Sequence, residues 1–137
     1  MALRVLTACA ITAGLLLFGC TEKTEGSILS SAEPGQESVD LERDAEKGDA
    51  ESQYRLGVRY AMQDGVPLNY LEAQKLFRFA ADQGHADAQY SLGHLYYFGR
   101  GTPKNPNEAV NWYRLAAEQG HLEAQYNLGL MYAKGEG

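Results

Sequence analysis

Apolar residues between positions 45 and 137 recur at helical spacing, and the whole pattern then recurs 36 residues later. In the first copy, Tyr54, Gly57, Val58 and Ala61 stand at positions i, i+3, i+4 and i+7, which share one face of an α-helix. The stretches AEKGDAESQYRLG, ADQGHADAQYSLG and AEQGHLEAQYNLG align without a gap from residues 45, 81 and 117. Self-similarity at such a period is typical of helical solenoids, so the sequence predicts an all-α repeat fold.

Each period predicts an antiparallel pair of helices. The first helix should begin after Asp49 and run to about residue 62, before a glycine- and proline-containing loop. The second opens with an asparagine followed three residues later by a glutamate, a capping-box pair that occurs twice (Asn69 and Glu72, Asn105 and Glu108). It should end at a glycine in the left-handed conformation (Gly84 or Gly120).

These motifs resemble the Sel-one-like repeat (SLR) family, relatives of the tetratricopeptide repeats. The resemblance rests on A-x-x-G-x-x-x-A/S-Q-Y-x-L-G-x-x-Y, then G-x-G-x-P-x-N-x-x-E-A, then W-Y-R-x-A-A-E-Q-G. It implies a right-handed α-solenoid over residues 41–137, with about two and a half repeats at 45–80, 81–116 and, incomplete, 117–137. It also implies a concave surface that binds other proteins, and exported bacterial members that act as envelope adaptors. The first copy has MQDG where G-x-G is expected, which predicts a differently shaped loop.

The first 20 residues, MALRVLTACAITAGLLLFGC, predict an export signal over residues 1–19. Arg4 precedes an uncharged apolar run that is shorter than the ~20 residues of a membrane span. The ending at Gly19 and Cys20 resembles the lipobox of bacterial lipoproteins, which implies that Cys20 is lipidated. Cys9 stands in a rival motif, but almost no apolar run precedes it. The alternative is a plain signal peptide or an uncleaved anchor with an unmodified Cys20.

Residues 20–40 are rich in Ser, Glu and Gly and predict a flexible acidic linker that follows the lipidated cysteine. Residues 21–44 carry a net charge of −5, out of −6 for the whole chain. The repeats themselves are therefore nearly neutral, and nucleic acid is not an expected partner.

The sequence predicts no catalytic, metal or cofactor site. No serine is followed three residues later by lysine, and the glycine-rich segment at 99–104 lacks the third glycine of a phosphate loop. His85 and His121 stand where the first copy has Asp49 and are expected to cap helices, whereas His94 stands alone without metal-ligand spacing. An alternative function is an envelope hydrolase or penicillin-binding protein related to cysteine-rich relatives, which would need paired cysteines in each repeat.

The first helices also contain positions that vary between copies, and these predict a partner-binding stripe. Its residues are Arg55, Arg59, Met62, Ser91, His94, Leu95, Tyr97, Phe98, Asn127 and Met131. We expect this stripe to hold an extended or helical peptide through apolar contacts of Leu95, Phe98 and Met131, with Arg55 and Arg59 as anion anchors. A solvated helix face is the alternative. No small-molecule cofactor is expected.

The predicted function is a non-enzymatic protein-interaction scaffold of the bacterial cell envelope, attached to the membrane by its N-terminal lipid. Thr21, in place of an aspartate after the cysteine, resembles the sorting pattern of outer-membrane lipoproteins that face the periplasm. The third repeat stops at Gly137 after its first helix, which should leave the stripe around Tyr126, Gly129 and Tyr132 half covered. We expect either a longer repeat protein or completion by a partner or a second copy.

Overall fold

The computed structural model describes residues 34–137. Within that range the chain forms six α-helices of 13 residues each: α1 (Pro34–Glu46), α2 (Ala50–Met62), α3 (Tyr70–Asp82), α4 (Ala86–Phe98), α5 (Pro106–Glu118) and α6 (Leu122–Lys134). This confirms the all-α repeat fold. The predicted export signal, Cys20 and residues 20–33 of the linker lie outside the described residues. None of these six helices combines the length and apolar character that a membrane crossing requires.

Helix α1 replaces the predicted linker over residues 34–40. It begins 36 residues before α3 and 72 before α5, so it occupies the place of a second helix in the repeat. An ion pair between Asp40 and Arg43 at 2.6 Å spans one of its turns. Ala45, near its end, is buried, and its backbone oxygen accepts a hydrogen bond from the Gln53 side chain at 3.2 Å. The prediction of a linker was based on amino-acid composition, which does not reveal these contacts within α1 and between α1 and α2.

The first helix of each repeat begins at a capped polar residue, as predicted. The side chains of Asp49, His85 and His121 accept hydrogen bonds from backbone N–H groups three residues later, at 2.8, 3.2 and 3.2 Å. Hydrogen bonds from the hydroxyl and backbone N–H of Ser52 lower the pKa of Asp49. The polar turn position therefore has the same structural role in all three copies, although the residue type changes.

The second helices begin with half of the predicted capping box. The side chains of Asn69 and Asn105 accept from the backbone N–H of the glutamate three residues on, both at 3.2 Å. The backbone N–H groups of the two asparagines donate instead to the carbonyls of Tyr60 and Tyr96, at 3.0 and 2.9 Å. Each asparagine thus joins the start of a second helix to the first helix before it.

The loops after α2 and α4 share their backbone conformation at the helix end. Gln63 has φ 61° and ψ 32°, and Gly99, at the same place in the next copy, has φ 68° and ψ 40°. The prediction of a differently shaped loop does not hold at this position. Gln63 takes the left-handed conformation that glycine adopts at lower cost.

Glycines inside α2 and α4 permit close helix packing. A Cβ atom added to Gly57 would lie 2.7 Å from the Phe77 ring, and one added to Gly93 would lie 2.9 Å from the Tyr113 ring. Fully buried alanines flank both rings (Ala73, Ala80, Ala109 and Ala116). The core of residues 38–137 is therefore built from large rings set among very small residues.

Candidate functional site

Two adjacent cavities lie between successive first helices. The first groove, between α2 and α4, has a volume of about 600 Å³, and the second groove, between α4 and α6, about 500 Å³. Tyr90 and His94 line both of them. The two grooves therefore share one wall and form a continuous recess along the first helices.

Each groove has an aromatic floor supplied by the intervening second helix. Phe77 of α3 and Tyr113 of α5 are 3% and 1% exposed. Their rings pack against Tyr54 and Tyr90, with centroid separations of 5.9 and 5.6 Å. Burial raises the pKa of Tyr54 and of Tyr113, so both side chains stay neutral phenols. The rings give each groove a mainly apolar floor, on which the tyrosine hydroxyls are polar groups.

A repeated stack of histidine on tyrosine fixes the groove walls. His85 lies 4.8 Å from Tyr54, and its Nε2 lies 2.9 Å from a carboxylate oxygen of Glu51. Because Nδ1 of His85 already accepts the helix-cap hydrogen bond, Nε2 carries the proton and donates to the carboxylate. The next copy repeats this stack between His121 and Tyr90 at 4.6 Å. The tyrosine rings are thus held in place before any ligand binds.

His94 occupies the shared wall in its neutral form. Burial, with a smaller contribution from the positive charge of Arg100, lowers the pKa of His94. Its ring lies 4.5 Å from Phe98 and 6.4 Å from Tyr90. Neutral imidazole has one hydrogen-bond donor and one acceptor, so His94 is suited to pairing with a peptide backbone.

Formal charges differ between the two grooves. Asp87, Glu123 and Arg100 line the first groove, and Lys134 lines the second. The Arg100 guanidinium stands 5.6 Å over the Tyr70 ring and 5.5 Å over the Phe98 ring. The aromatic rings near the grooves are therefore bordered by cations as well as carboxylates.

The structure brings eight of the ten predicted partner-binding residues to these grooves. Met62, Ser91, His94 and Leu95 line the first groove, and His94, Tyr97, Phe98, Asn127 and Met131 line the second. Leu95 and Met131 are each only 3% exposed. They belong to the core clusters and contribute to the floors of the grooves, so little of either side chain is exposed for the predicted apolar contacts with a peptide.

Arg55 and Arg59, the predicted anion anchors, line neither of the two grooves. The Nε of Arg59 donates instead to the backbone oxygen of Asp64 at 3.1 Å, which holds the loop after α2. Arg100 and Lys134 are the cations at the grooves. Sequence periodicity placed Arg59 on the correct helix but did not give the direction of its side chain.

Sequence reasoning missed Tyr54, Tyr90 and Arg100 as groove residues. The two tyrosines are identical in every copy, and such identity indicates residues that maintain the repeat core. They do pack against the floor rings, and they also line the grooves. Arg100 lies in the loop after α4, outside the helical stripe on which the prediction was based. Among residues 34–137, no group of three or more His, Cys, Asp or Glu side chains is arranged to hold a metal ion.

A family profile for the Sel1 repeat matches residues 50–85, 86–121 and 122–137. The chain belongs to the Sel1 repeat family. The profile boundaries have the predicted period of 36 residues but begin five residues later than the boundaries drawn at residues 45, 81 and 117. Sel1 repeat proteins typically mediate protein–protein interactions.

Two solved structures are similar to this Sel1 repeat chain. One is a protective antigen present in uropathogenic Escherichia coli strains that displays an SLR fold, with 40% identity and a TM-score of 0.69. The match covers 70% of this chain but only 21% of that chain. The other is a Sel1 repeat protein from Oxalobacter formigenes, with 40% identity, a TM-score of 0.67 and coverage of 74% and 76%. A comparison with curated proteins gave no match.

Proposed function

We propose that this Sel1 repeat protein is a non-enzymatic scaffold of the bacterial cell envelope that holds a peptide segment of a partner protein in the first and second grooves. The observation that carries the proposal is the shared wall of Tyr90 and His94, which joins two preformed aromatic cavities of about 600 and 500 Å³. A ligand that fills both grooves would bury two of its own apolar side chains. Preformed rings reduce the entropy cost of binding, because few groove side chains need ordering.

The chemistry of the grooves favours a particular kind of segment. Apolar or aromatic side chains suit both floors, since Phe77 and Tyr113 offer ring surfaces there. A basic side chain near the first groove would face Asp87 and Glu123, and an acidic one near the second would face Lys134. Such charge complementarity sets the direction of a bound segment more than its affinity.

The envelope location rests on the N-terminal sequence. Residues 1–19 have the composition of an export signal, and Gly19 and Cys20 fit a lipidation motif followed by Thr21. The description of one structural neighbour as a protective antigen is compatible with an exported protein. In this proposal the chain is anchored in the outer membrane by its lipid and faces the periplasm.

Mass spectrometry of the mature N-terminus tests the anchor. The full chain, expressed in a Gram-negative host, should yield a diacylglyceryl or triacylated Cys20 as its first residue. The Cys20→Ser variant should lose the lipid mass and leave the membrane fraction. An unacylated N-terminus at another residue in the wild-type chain would contradict lipid anchoring without affecting the groove proposal.

Photocrosslinking in cells tests the grooves. A photoreactive amino acid at Phe98, which lines the second groove and is 53% exposed, should crosslink to a partner protein. Phe79 on α3 is the matched control, because it is 58% exposed and lies at neither groove. The crosslinked segment, identified by mass spectrometry and synthesised as a peptide, should bind the full chain.

Variants then decide whether the grooves hold that peptide. His94→Ala and Phe98→Ala should each weaken binding by at least about tenfold, as central aromatic contacts commonly do. Phe79→Ala should leave the affinity unchanged. Equal affinities for all three variants, or equal crosslinking from Phe79 and Phe98, would remove the grooves as the binding site.

A further inference from the structure

A third cavity, of about 490 Å³, is lined by side chains of α1, α2 and α3. Its volume falls within the range of roughly 300–1,000 Å³ that ligand sites usually have. It shares no lining residue with the first or second groove, so it is a separate place on the molecule. Six of its lining residues carry the argument: Glu42, Glu46, Leu56, Tyr60, Leu76 and Phe79.

The side of the third cavity that α2 and α3 form is mainly apolar. Leu56 of α2 is 7% exposed and lies deepest, whereas Tyr60 and Leu76 are half-buried. Phe79 of α3 is 58% exposed. An apolar or aromatic side chain that enters the third cavity would therefore contact Leu76 and would also cover part of the exposed Phe79 ring.

The side that α1 forms is acidic. Glu42 and Glu46 lie one helical turn apart, and both are exposed. Within residues 34–137, the ion pairs of α1 use other carboxylates, those of Asp40 and Asp44. The glutamates at the third cavity are therefore placed to pair with a cation from outside the chain.

The second repeat shows how the same positions are filled within the chain. Arg78, Asp82 and Trp112 stand 36 residues after Glu42, Glu46 and Leu76. The Arg78 guanidinium lies 5.1 Å over the Trp112 ring, and its Nε lies 3.4 Å from the Asp82 carboxylate. A guanidinium thus contacts both an indole ring and a carboxylate, and the indole is 9% exposed.

The first repeat keeps only one of these three groups. Glu46 supplies the carboxylate, but Leu76 replaces the indole with a smaller side chain, and Glu42 replaces the cation with an anion. The third cavity is lined by these same replacements. An aromatic ring and a guanidinium are therefore the groups that would complete the arrangement.

We propose that the third cavity is a second binding site, which holds a segment of a partner protein that presents an aromatic side chain beside an arginine. The ring lies against Leu76, in the space that the Trp112 indole fills one repeat later. The guanidinium pairs with Glu46, as Arg78 pairs with Asp82. This site is independent of the peptide proposed for the first and second grooves.

A dipeptide that carries both groups tests the proposal. The probe is N-acetyl-Trp-Arg-amide, titrated into the ¹⁵N-labelled full chain and followed by amide chemical shifts. Binding should be saturable and should shift the amide signals of Leu76 and Phe79. N-acetyl-Ala-Arg-amide, which lacks the ring, should bind at least about tenfold more weakly. N-acetyl-Trp-Gln-amide, which lacks the cation, should bind about two- to fivefold more weakly, because the carboxylates are exposed.

Variants of the chain locate the site. The double variant Glu42→Arg with Leu76→Trp gives the first repeat the residues of the second, so the chain should fold, and its binding of the dipeptide should fall by at least about tenfold. Glu46→Gln should weaken binding about two- to fivefold. Glu118→Gln is the matched control, because Glu118 is exposed, stands 72 residues after Glu46 and lines none of the three cavities.

Four results would overturn the proposal. The first two are no saturable binding at millimolar dipeptide, and equal binding by the wild-type chain and both the double and the Glu46→Gln variants. The third is a dimer that the double variant dissociates, because a second copy would then fill the cavity. The fourth is nuclear Overhauser contacts between Leu76 and residues 1–33 in the free chain, because the chain itself would then fill it.

Phe98→Ala separates this site from the grooves. Phe98 lines the second groove, so its loss should leave dipeptide binding unchanged, whatever it does to a groove ligand. Phe79 lines the third cavity, so a photoreactive amino acid there should capture a different segment from the one captured at Phe98. Capture of one and the same segment from both positions would contradict two separate sites.

Discussion

Gln119 donates a hydrogen bond from its side-chain Nε2 to the side-chain oxygen of Gln89, 2.7 Å away, and Gln89 donates in turn to the backbone oxygen of Ala81 at 3.1 Å. Gln89 is 5% exposed, so this short chain of hydrogen bonds lies in the interior. The first repeat contains the same arrangement, from Gln83 to Gln53 at 2.9 Å. The buried side-chain amide of Gln89, on α4, thus connects the end of α5 to the end of α3.

Gln89→Ala should lower the free energy of unfolding by about 1–3 kcal/mol, because it removes two buried side-chain hydrogen bonds, one to the Ala81 oxygen and one from the Gln119 side-chain amide. Gln125→Ala is the matched control: Gln125 makes the equivalent bond to Ala117 at 3.1 Å but is exposed, so the cost should stay within about 0.5 kcal/mol. Urea unfolding followed by the fluorescence of Trp112, the single tryptophan, measures both. Equal costs would show that burial is not what gives the glutamine its effect.

Gly93→Ala should destabilise the protein by about 1–3 kcal/mol, because the new Cβ would lie 2.9 Å from the buried Tyr113 ring and 3.3 Å from the Ala109 oxygen. Gly129→Ala should be neutral or should stabilise by up to about 1 kcal/mol, since it meets nothing and alanine favours helix. Thermal unfolding of the two variants beside the wild type tests the difference. Similar melting temperatures for the two would contradict close packing as the reason for glycine at position 93.

Gln63→Gly should raise the free energy of unfolding by about 1 kcal/mol, because Gln63 has φ 61° and a side chain makes that conformation costly. The reverse change in the next copy, Gly99→Gln, should destabilise, and it adds a contact of 3.1 Å between the new Cβ and the Lys104 backbone nitrogen. Chemical denaturation of the two variants measures both effects. A Gln63→Gly variant no more stable than the wild type would mean that this loop relaxes without cost.

The sequence was sufficient for the elements that depend on local chemistry. The 36-residue period located α2, and Asn69 and Asn105 marked the starts of second helices, because caps and turns depend on residues close together in the chain. The sequence did not predict α1, because the polar composition of this helix differs from that of the other second helices.

The candidate site could be predicted from the sequence only in part, because the sequence does not give the direction of individual side chains. Arg59 lies on the predicted stripe, but its guanidinium turns back to the Asp64 carbonyl, and no periodicity encodes that choice. Leu95 also lies on the stripe, yet it is buried by neighbours that are distant in sequence. Tyr90 shows the opposite case. A residue that is identical in every copy is expected only to support the core, but Tyr90 packs against Tyr113 and also lines both grooves.

The stability of the wild-type chain relative to a His94→Val variant should depend on pH. Burial and the Arg100 charge hold the pKa of His94 below its ordinary value in the folded state. As pH falls through the ordinary value of about 6.5, the unfolded chain takes up a proton that the folded chain does not yet bind. His94 therefore lowers the free energy of unfolding as pH drops from 7.5 to 5.

His94→Val removes this dependence, and valine is the residue at the same place in the first copy, Val58. His85 and His121 are present in both proteins, so their contributions cancel in the difference between the two. Urea unfolding at pH 7.5 and pH 5.0 should show the variant gaining stability relative to the wild type at the lower pH. The contradicting result is a difference in the free energy of unfolding between the two proteins that is the same at both pH values. It would mean that His94 has the same pKa in the folded and unfolded chains, and the shared wall of the grooves would then not hold His94 in its neutral form.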